Sequence, residues 1–241
     1  MAKPGNKPNA TVVKANPRQT FKLAPSDMTF LFEDCKRCFY NKVALGVPRP
    51  SLPFPGLFTR LDKLEKGFYA QMRTTDVDQS LPPGSFSIGE HWVQSKMHRT
   101  PSQKACFFIR GVFDVAIEFD DGTFGISDYK TSSPKSEYMP LYSRQLHAYS
   151  LALEYPEQGR LHLAPISTLG ILAIDPVEMI ELNGGGAFRL ETTWIEVVKD
   201  YQAFRAFLSE VFTVLESGTA PAPDPKYRIC EYLEVARREG L

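Results

Sequence analysis

The residues best suited to chemistry in this sequence are two aspartates that flank a short turn. The stretch GVFDVAIEFDDGTFGISDYKTSS contains the turn Asp120-Asp121-Gly122 between two segments rich in β-branched and aromatic residues, a pattern that predicts a β-hairpin. Asp114 lies six residues before the turn and Asp128 lies six residues after it. Because hairpin strands pair antiparallel, this symmetric placement brings the two carboxylates close together.

A lysine completes the group. Lys130 follows Asp128 by two residues, so on a strand both side chains point to the same face. Carboxylates on an apolar hairpin are unfavourable unless they are paired or bound to a metal. Mg²⁺ or Mn²⁺ suits such oxygen ligands and can activate water against a phosphodiester, while the lysine positions the water, transfers a proton or stabilises charge. The alternative is a surface hairpin with ordinary solvated ion pairs.

The elements around the hairpin predict an α/β or α+β fold, in which a mixed sheet is flanked by helices. Hydrophobic periodicity and turn signals place the helices at about 27–46, 57–72, 138–153, 193–216 and 230–239. The predicted strands are 86–97, 105–119, 123–131 and 166–175, and a glycine-rich loop is expected at 183–190. In the second helix, the inward face is expected to carry Leu57, Leu61, Leu64 and Phe68.

Composition is typical of a globular protein. The 241 residues carry 28 basic and 28 acidic side chains, and this zero net charge argues against very tight non-specific nucleic-acid binding without excluding a local basic groove. Residues 1–22 are expected to form a flexible basic lead-in and residues 23–241 one domain. The sequence shows no membrane span or signal peptide, so a cytoplasmic location is expected.

Several motifs in one order resemble those of the PD-(D/E)XK nucleases, in particular the RecB nuclease domain and the CRISPR adaptation exonucleases. The opening helix LAPSDMTFLFEDCKRCFY is followed by GVFD, ending at Asp114, which matches G-x-x-D. DYK at 128–130 matches (D/E)-x-K, and Gln145 with Tyr149 matches Q-x-x-x-Y. The resemblance covers about residues 23–232.

This resemblance implies a restriction-endonuclease-like core and a definite set of roles. Asp114 and Asp128 would bind Mg²⁺ or Mn²⁺, with the Tyr129 carbonyl as a further ligand, and Lys130 would be the catalytic lysine. Gln145 and Tyr149 share a helix face, and in the family that face borders the active site. Without the motif, the pair is equally well explained by an ordinary helix packed on the sheet.

One departure from the family pattern concerns the metal. Many RecB-like relatives carry a metal-binding histidine four residues after a glycine in the second helix. Gln71 occupies that position after Gly67, and its amide oxygen is a weaker ligand than a histidine or carboxylate. Glu65 is an alternative, although it lies off the expected face. The sequence therefore leaves open a weakened or inactive metal site.

A second departure concerns the cysteines. Some relatives bind an iron–sulfur cluster through one N-terminal and three C-terminal cysteines. Cys35 and Cys230 match two of these positions, but Tyr227 and Ala236 stand at the others. A four-thiolate cluster lacks ligands, so none is expected. With Cys38, the remaining thiols either pack together in the interior or form a three-cysteine site for zinc or another metal.

The function expected from these observations is a metal-dependent deoxyribonuclease that acts on single strands or duplex ends. Its partner would be a helicase or a recombination or adaptation subunit. The alternatives are a weak or inactive nuclease-fold subunit that binds nucleic acid or scaffolds a complex, and a hydrolase of small phosphate esters. The basic residues considered for a DNA groove are Lys96, Arg99, Lys104, Arg110, Lys135 and Arg144.

Overall fold

The computed structural model of the protein describes residues 19–48, 50, 55–132 and 134–239. Its strands are β1 Thr20–Leu23, β2 Gly84–Ile88, β3 His91–Gln94, β4 His98–Arg99, β5 Cys106–Phe113, β6 Val115–Phe119, β7 Phe124–Lys130, β8 Ile166–Leu182 and β9 Gly185–Glu196. Its α-helices are α1 Phe32–Asp34, α2 Lys36–Ala44, α3 Gly56–Tyr69, α4 Thr74–Val77, α5 Met139–Glu154, α6 Tyr201–Leu215 and α7 Arg228–Arg238. A π-helical turn Asp27–Leu31 precedes α1, and a 3-10 turn Ser136–Tyr138 precedes α5.

The strands form two mixed sheets flanked by helices, which confirms the predicted fold class. In the larger sheet the order is β2-β6-β7-β8-β9, with β7 and β8 parallel and the other neighbours antiparallel. In the smaller sheet β5 pairs in parallel with β1 and antiparallel with β3 and β4. The single strand predicted at 105–119 is therefore two strands in different sheets, and they meet at Asp114.

The core lies where helix α5 packs against strands of both sheets. Its buried positions include Leu146, Ala148, Ala152 and Leu153, all at 0% exposure. The alanines let the helix approach the sheets closely, because small side chains leave room for the backbone. This packing fixes α5 against β7, the strand that carries Asp128 and Lys130.

The N-terminal predictions need two corrections. The lead-in predicted for residues 1–22 ends earlier, because Thr20–Leu23 is a strand paired with β5; residues 1–18 lie outside the described residues. The helix predicted at 27–46 is interrupted at Cys35, whose backbone is extended (φ −162°, ψ 104°). The Cys35 sulfur accepts a hydrogen bond from the Cys38 N–H and so caps α2.

Helix α3 turns the opposite way from the prediction. Leu57, Leu64 and Phe68 of the supposed inward face are 66%, 69% and 63% exposed. The residues that α3 buries are Glu65 and Tyr69. Hydrophobic periodicity identified the helix correctly, but it assigned the wrong face because this helix places a carboxylate, rather than leucines, against the sheet.

The region after β8 also differs from the prediction. The loop expected at 183–190 is a tight turn at Gly184 (φ 79°) followed by β9. Residues 193–196, which the sequence predicted as the start of a helix, belong to this strand. Helix α6 begins only at Tyr201, where the Asp200 carboxylate accepts a hydrogen bond from the Ala203 N–H at 2.9 Å. The sequence signal for the true start was this capping aspartate. The final helix predicted at 230–239 is confirmed as α7.

Among the helices in the described part of the chain, none is long and apolar enough to cross a membrane.

His147 on α5 connects this helix to the start of α6 through a hydrogen bond. Because its imidazole titrates, it also makes the stability of the fold depend on pH. Its Nδ1 lies 2.7 Å from the Ser143 carbonyl oxygen, and its Nε2 accepts the Asp200 N–H at 2.8 Å. Burial is the main cause that lowers the pKa of His147, against a smaller opposing effect of its hydrogen bond to Ser143. As pH falls below about 6.5, the unfolded chain binds a proton that the folded imidazole binds only at lower pH, so the free energy of unfolding decreases.

We therefore expect His147 to lower the free energy of unfolding on the acid side, measured with urea between pH 5 and 8, against an opposite contribution from Asp128, whose pKa is raised to about 6. In His147→Gln this loss of stability on the acid side disappears, whereas in His162→Gln, which changes an exposed histidine, the pH dependence stays as in the wild type. Equal slopes in the wild type and His147→Gln would show that His147 does not contribute.

Candidate active site

The predicted hairpin exists, and its register brings the two aspartates to one end. Val115 pairs with Ser127, so Asp114 and Asp128 lie one step further along, opposite each other. Asp114 occupies the bend between β5 and β6, and Asp128 lies inside β7. The symmetric spacing about the turn was therefore a sufficient signal for this pair.

Asp114 is held by one backbone group and one lysine. Its Oδ2 accepts a hydrogen bond from the Tyr129 N–H at 3.0 Å, and its Oδ1 lies 2.9 Å from the Lys66 Nζ. Lys66 also lies 3.1 Å from an Asp62 oxygen. Its burial opposes protonation, yet the contacts with Asp114 and Asp62 raise the pKa of Lys66 overall. The Lys66 ammonium group thus contacts Asp114, the carboxylate that the sequence predicts to be a metal ligand.

Asp128 is buried, with only 5% of its surface exposed. Its Oδ1 accepts a hydrogen bond from the Gln145 Nε2 at 2.9 Å, and its Oδ2 forms an ion pair with the Lys130 Nζ. Burial raises the pKa of Asp128 to about 6, with a further contribution from Asp114, although Lys130 opposes the shift. A carboxyl group in this state gains strongly from any cation brought to it.

Lys130 lies on the same face as Asp128, as the strand alternation predicted. Its Nζ is 4.9 Å from the centre of the Tyr142 ring. Burial favours the neutral amine, but the contact with Asp128 outweighs it and raises the pKa of Lys130 above its ordinary value. At neutral pH Lys130 is therefore a half-buried ammonium group directed at Asp128.

The glutamine of the helix motif positions Asp128. The Thr29 hydroxyl lies 3.2 Å from the Gln145 Oε1 and 3.1 Å from the Pro25 carbonyl oxygen. Because Gln145 Oε1 is only an acceptor, the hydroxyl directs the amide nitrogen towards Asp128. The π-helical turn that carries Thr29 is therefore part of the support for the site, and the sequence analysis did not identify that residue.

The tyrosine of the same motif holds the strand that leads into Asp114. The Tyr149 hydroxyl donates a hydrogen bond to the Val112 carbonyl oxygen. The preceding residue is Gly111, where a Cβ would lie 2.8 Å from Pro25 Cδ and 3.3 Å from Tyr149 Cε1. The glycine of G-x-x-D thus allows α5 and Pro25 to pack against β5 at this point.

A third carboxylate lies near the end of β7. Glu65 is 2% exposed, its Oε2 accepts a hydrogen bond from the Thr131 hydroxyl at 3.3 Å, and its Oε1 has no hydrogen-bond partner. Burial, with a smaller effect of Asp62, raises the pKa of Glu65. Sequence analysis set Glu65 off the expected face because the leucine stripe of α3 was taken to point inward.

Gln71 lies after the helix rather than on it. Helix α3 ends at Tyr69, and Gln71 adopts a left-handed conformation (φ 67°). Its amide Nε2 donates a hydrogen bond to the Ser87 carbonyl oxygen at 3.1 Å. The structure therefore corrects the predicted helix end at residue 72, while the assignment of Gln71 as a metal ligand stays a prediction.

A cleft of about 470 Å³ opens at Asp114, and its wall includes Gln71, Tyr129 and the lysines Lys63 and Lys66. The six basic residues considered for a groove do not line it within the described part of the chain. Three of them pack on aromatic rings elsewhere: Lys96 on Tyr155, Arg110 on Trp92 and Arg144 on Phe207. The cations of the cleft come instead from α3.

The family model for the PD-(D/E)XK nuclease superfamily matches residues 58–235. The chain belongs to this superfamily. The match includes both aspartates, the lysine and the Q-x-x-x-Y helix, and it agrees with the two mixed sheets and flanking helices described above.

Comparisons of the whole chain are more distant. It is similar to a solved structure described as "Crystal structure of SSO0001", with 13% sequence identity and a TM-score of 0.42 over 85% of this chain and 80% of that chain. No curated protein matches the sequence.

The residue types present at the site of this PD-(D/E)XK protein suit a divalent cation, although in the described part of the chain the oxygen atoms of Glu65, Asp114 and Asp128 do not all lie within 4.8 Å of one another. Glu65, Asp114 and Asp128 are carboxylates, the ligand type that Mg²⁺ and Mn²⁺ prefer. The unpartnered Glu65 Oε1 is buried, and a buried carboxylate oxygen without a partner is unfavourable unless a cation reaches it. PD-(D/E)XK nucleases generally use such ions, and a nuclease fold implies a nucleic-acid substrate.

The cysteines predicted as a possible thiol site do come together, apart from this centre. Cys35, Cys38 and Cys230 are buried, and their sulfur atoms lie within 4.8 Å of one another.

The packing around Gly111 predicts a sharp effect of one methyl group. In Gly111→Ala the new Cβ overlaps Pro25 and Tyr149, so we expect a loss of about 1–3 kcal/mol in the free energy of unfolding. Urea denaturation measures it. The matched control is Gly67→Ala on α3, where no atom lies within 4 Å of the added Cβ and helix propensity favours alanine. An unchanged denaturation midpoint for Gly111→Ala would contradict the proposed role of this contact.

Proposed function

We propose that the protein is a Mg²⁺- or Mn²⁺-dependent nuclease of the RecB-like branch that hydrolyses phosphodiester bonds of DNA. The observation that carries this proposal is the position of Asp114 and Asp128 one step beyond the Val115–Ser127 pair of the hairpin, with Lys130 in contact with Asp128. Residues 23–241 would form one nuclease domain. The substrate would be a single strand or a duplex end, and a helicase or a recombination or adaptation subunit would supply it.

Asp114 and Asp128 would hold the cation, together with Glu65 and the Tyr129 carbonyl. Glu65 is preferred over Gln71 because it is a buried carboxylate with one free oxygen, whereas the Gln71 amide is engaged with Ser87. When bound, the cation activates the attacking water and offsets the negative charge that develops on the phosphate.

Lys130 would act as a charged hydrogen-bond donor to the phosphate. Its raised pKa keeps it protonated at neutral pH, which favours stabilisation of negative charge over removal of a proton from water. Gln145 and Tyr149 are positioning residues in this scheme. Gln145 holds the carboxylate of Asp128, and Tyr149 holds the strand before Asp114.

The test is cleavage of end-labelled single- and double-stranded DNA with Mn²⁺, Mg²⁺ or EDTA. We expect metal-dependent cleavage by the wild type and a loss of about 10²-fold or more in Asp114→Asn and Lys130→Met. Asp121→Asn is the matched control, because it changes an exposed aspartate in the turn of the same hairpin and should retain activity.

One alternative outcome has a specific meaning. If the folded wild type binds DNA but does not cleave it with either metal, the protein is a nuclease-fold binding subunit. Gln71, at the position where many RecB-like relatives have a metal-binding histidine, pointed to this alternative. If Asp121→Asn loses activity as fully as Asp114→Asn does, the loss reflects the hairpin rather than the chemistry of Asp114.

The contact between Lys66 and Asp114 predicts competition with the metal. The Lys66 ammonium lies 2.9 Å from the Asp114 carboxylate. A metal cation that binds this carboxylate must therefore displace the ammonium group or bind next to it. In Lys66→Met we expect Mn²⁺ to bind roughly tenfold more tightly, because a competing positive charge is removed. Glu65→Gln should weaken binding. Calorimetric titration with Mn²⁺ measures both effects.

The control for Lys66 is Lys63→Met, which removes a positive charge from the same helix and the same cleft. If Lys63→Met and Lys66→Met raise the affinity equally, the effect is one of net charge, and the direct competition at Asp114 is wrong.

A further inference from the structure

Three cysteines from opposite ends of the chain converge in the interior. Cys35 lies between α1 and α2, Cys38 in the first turn of α2, and Cys230 in the first turn of α7. The Cys230 Sγ is 3.1 Å from both the Cys35 Sγ and the Cys38 Sγ. The three residues are only 1%, 7% and 4% exposed.

We propose that Cys35, Cys38 and Cys230 form a zinc site, independent of the nuclease centre, that ties α7 to the junction of α1 and α2. Zn²⁺ is chosen because thiolates are its preferred structural ligands and because Cys-x-x-Cys, here Cys35-Lys36-Arg37-Cys38, is a common spacing for two of them.

The distances fit a single ion. Tetrahedral coordination with Zn–S bonds of about 2.3 Å places the sulfur atoms about 3.8 Å apart. All three sulfur atoms already lie within 4.8 Å of one another, so small side-chain movements suffice. Within the described residues no fourth histidine, cysteine or carboxylate joins the group, which leaves the fourth position to water or another exchangeable ligand.

A backbone N–H group points at the Cys35 sulfur. The Cys35 sulfur accepts the Cys38 N–H at 3.4 Å, a bond that also places this sulfur at the N-terminus of α2, where negative charge is stabilised. Each thiol releases its single proton to solvent as the metal binds.

Other uses of the three thiols account for less of this geometry. A disulfide joins two sulfur atoms at about 2.05 Å and leaves the third unused in the interior. An iron–sulfur cluster of the four-thiolate type needs four cysteines. The fourth cysteine of the chain, Cys106, lies in β5 outside the group.

The experiment measures metal in the full-length protein after reduction, incubation with zinc and removal of free ions. We expect about one zinc per chain in the wild type and at least a tenfold lower content in Cys35→Ser and Cys230→Ser. Cys106→Ser is the matched control and should keep the wild-type content. Asp114→Asn should also keep it, which separates this site from the nuclease centre. With Co²⁺ in place of zinc, thiolate-to-metal charge-transfer absorption is expected.

A second measurement does not depend on how the variants fold. In the zinc-loaded wild type, an organomercurial reagent that titrates thiols should release the zinc, and a strong chelator should lower the melting temperature. Zinc that survives in Cys230→Ser, a wild type that binds no zinc, iron with inorganic sulfide in its place, or a Cys35–Cys230 disulfide in the native protein would each overturn the proposal.

Discussion

Asp128 brings a carboxyl group into the interior of the larger sheet, and much of the surrounding structure compensates for it. Burial alone favours the protonated acid, which is why the pKa of Asp128 rises to about 6. The protein supplies an ammonium group from Lys130 and an amide hydrogen from Gln145. The Thr29 hydroxyl in turn sets the direction of that amide. A strand, a helix and the N-terminal π-helical turn are thereby coupled to the state of one carboxylate.

The two neighbouring carboxylates, Asp114 and Glu65, differ in their partners, and this difference suits a cation site. Asp114 is neutralised by Lys66 and by a backbone N–H, whereas Glu65 is buried with one oxygen unpartnered. Lys66 forms ion pairs with Asp62 and Glu90 as well as with Asp114, and Lys130 forms one with Asp128. Among the described residues Glu65 forms no ion pair. A divalent ion supplies positive charge where Glu65 lacks it.

The parts of this arrangement that follow from local sequence were predictable. A tight turn with symmetric flanks defines the register of a hairpin, so Asp114, Asp128 and Lys130 could be placed from spacing alone. The family motif added Gln145 and Tyr149. Their contacts with Asp128 and Val112 depend on how α5 packs across both sheets, and that packing is not encoded in any local pattern.

The failures have a common physical origin. Periodicity records where apolar residues recur, but not which surface they meet. Helix α3 exposes Leu64 and buries Glu65, so a rule that places leucines inside hid a candidate ligand. The glycines after β8 were interpreted as a loop because Gly residues weaken strands. Here the chain continues as β9, paired with β8 along most of its length.

Helix α5 shows why the two ends of the chain matter to the site. One face of α5 presents Gln145 to Asp128, while His147 on another face receives the Asp200 N–H at the start of α6. The segment that orients Gln145 through Thr29 continues directly into Cys35, and Cys35 lies against Cys230 of α7. Side chains distant in sequence thus help to hold the Gln145 amide, which in turn holds Asp128 in position. Since a displacement of about 1 Å in a supporting group is enough to impair catalysis, the packing of both termini is part of what holds this carboxylate in position.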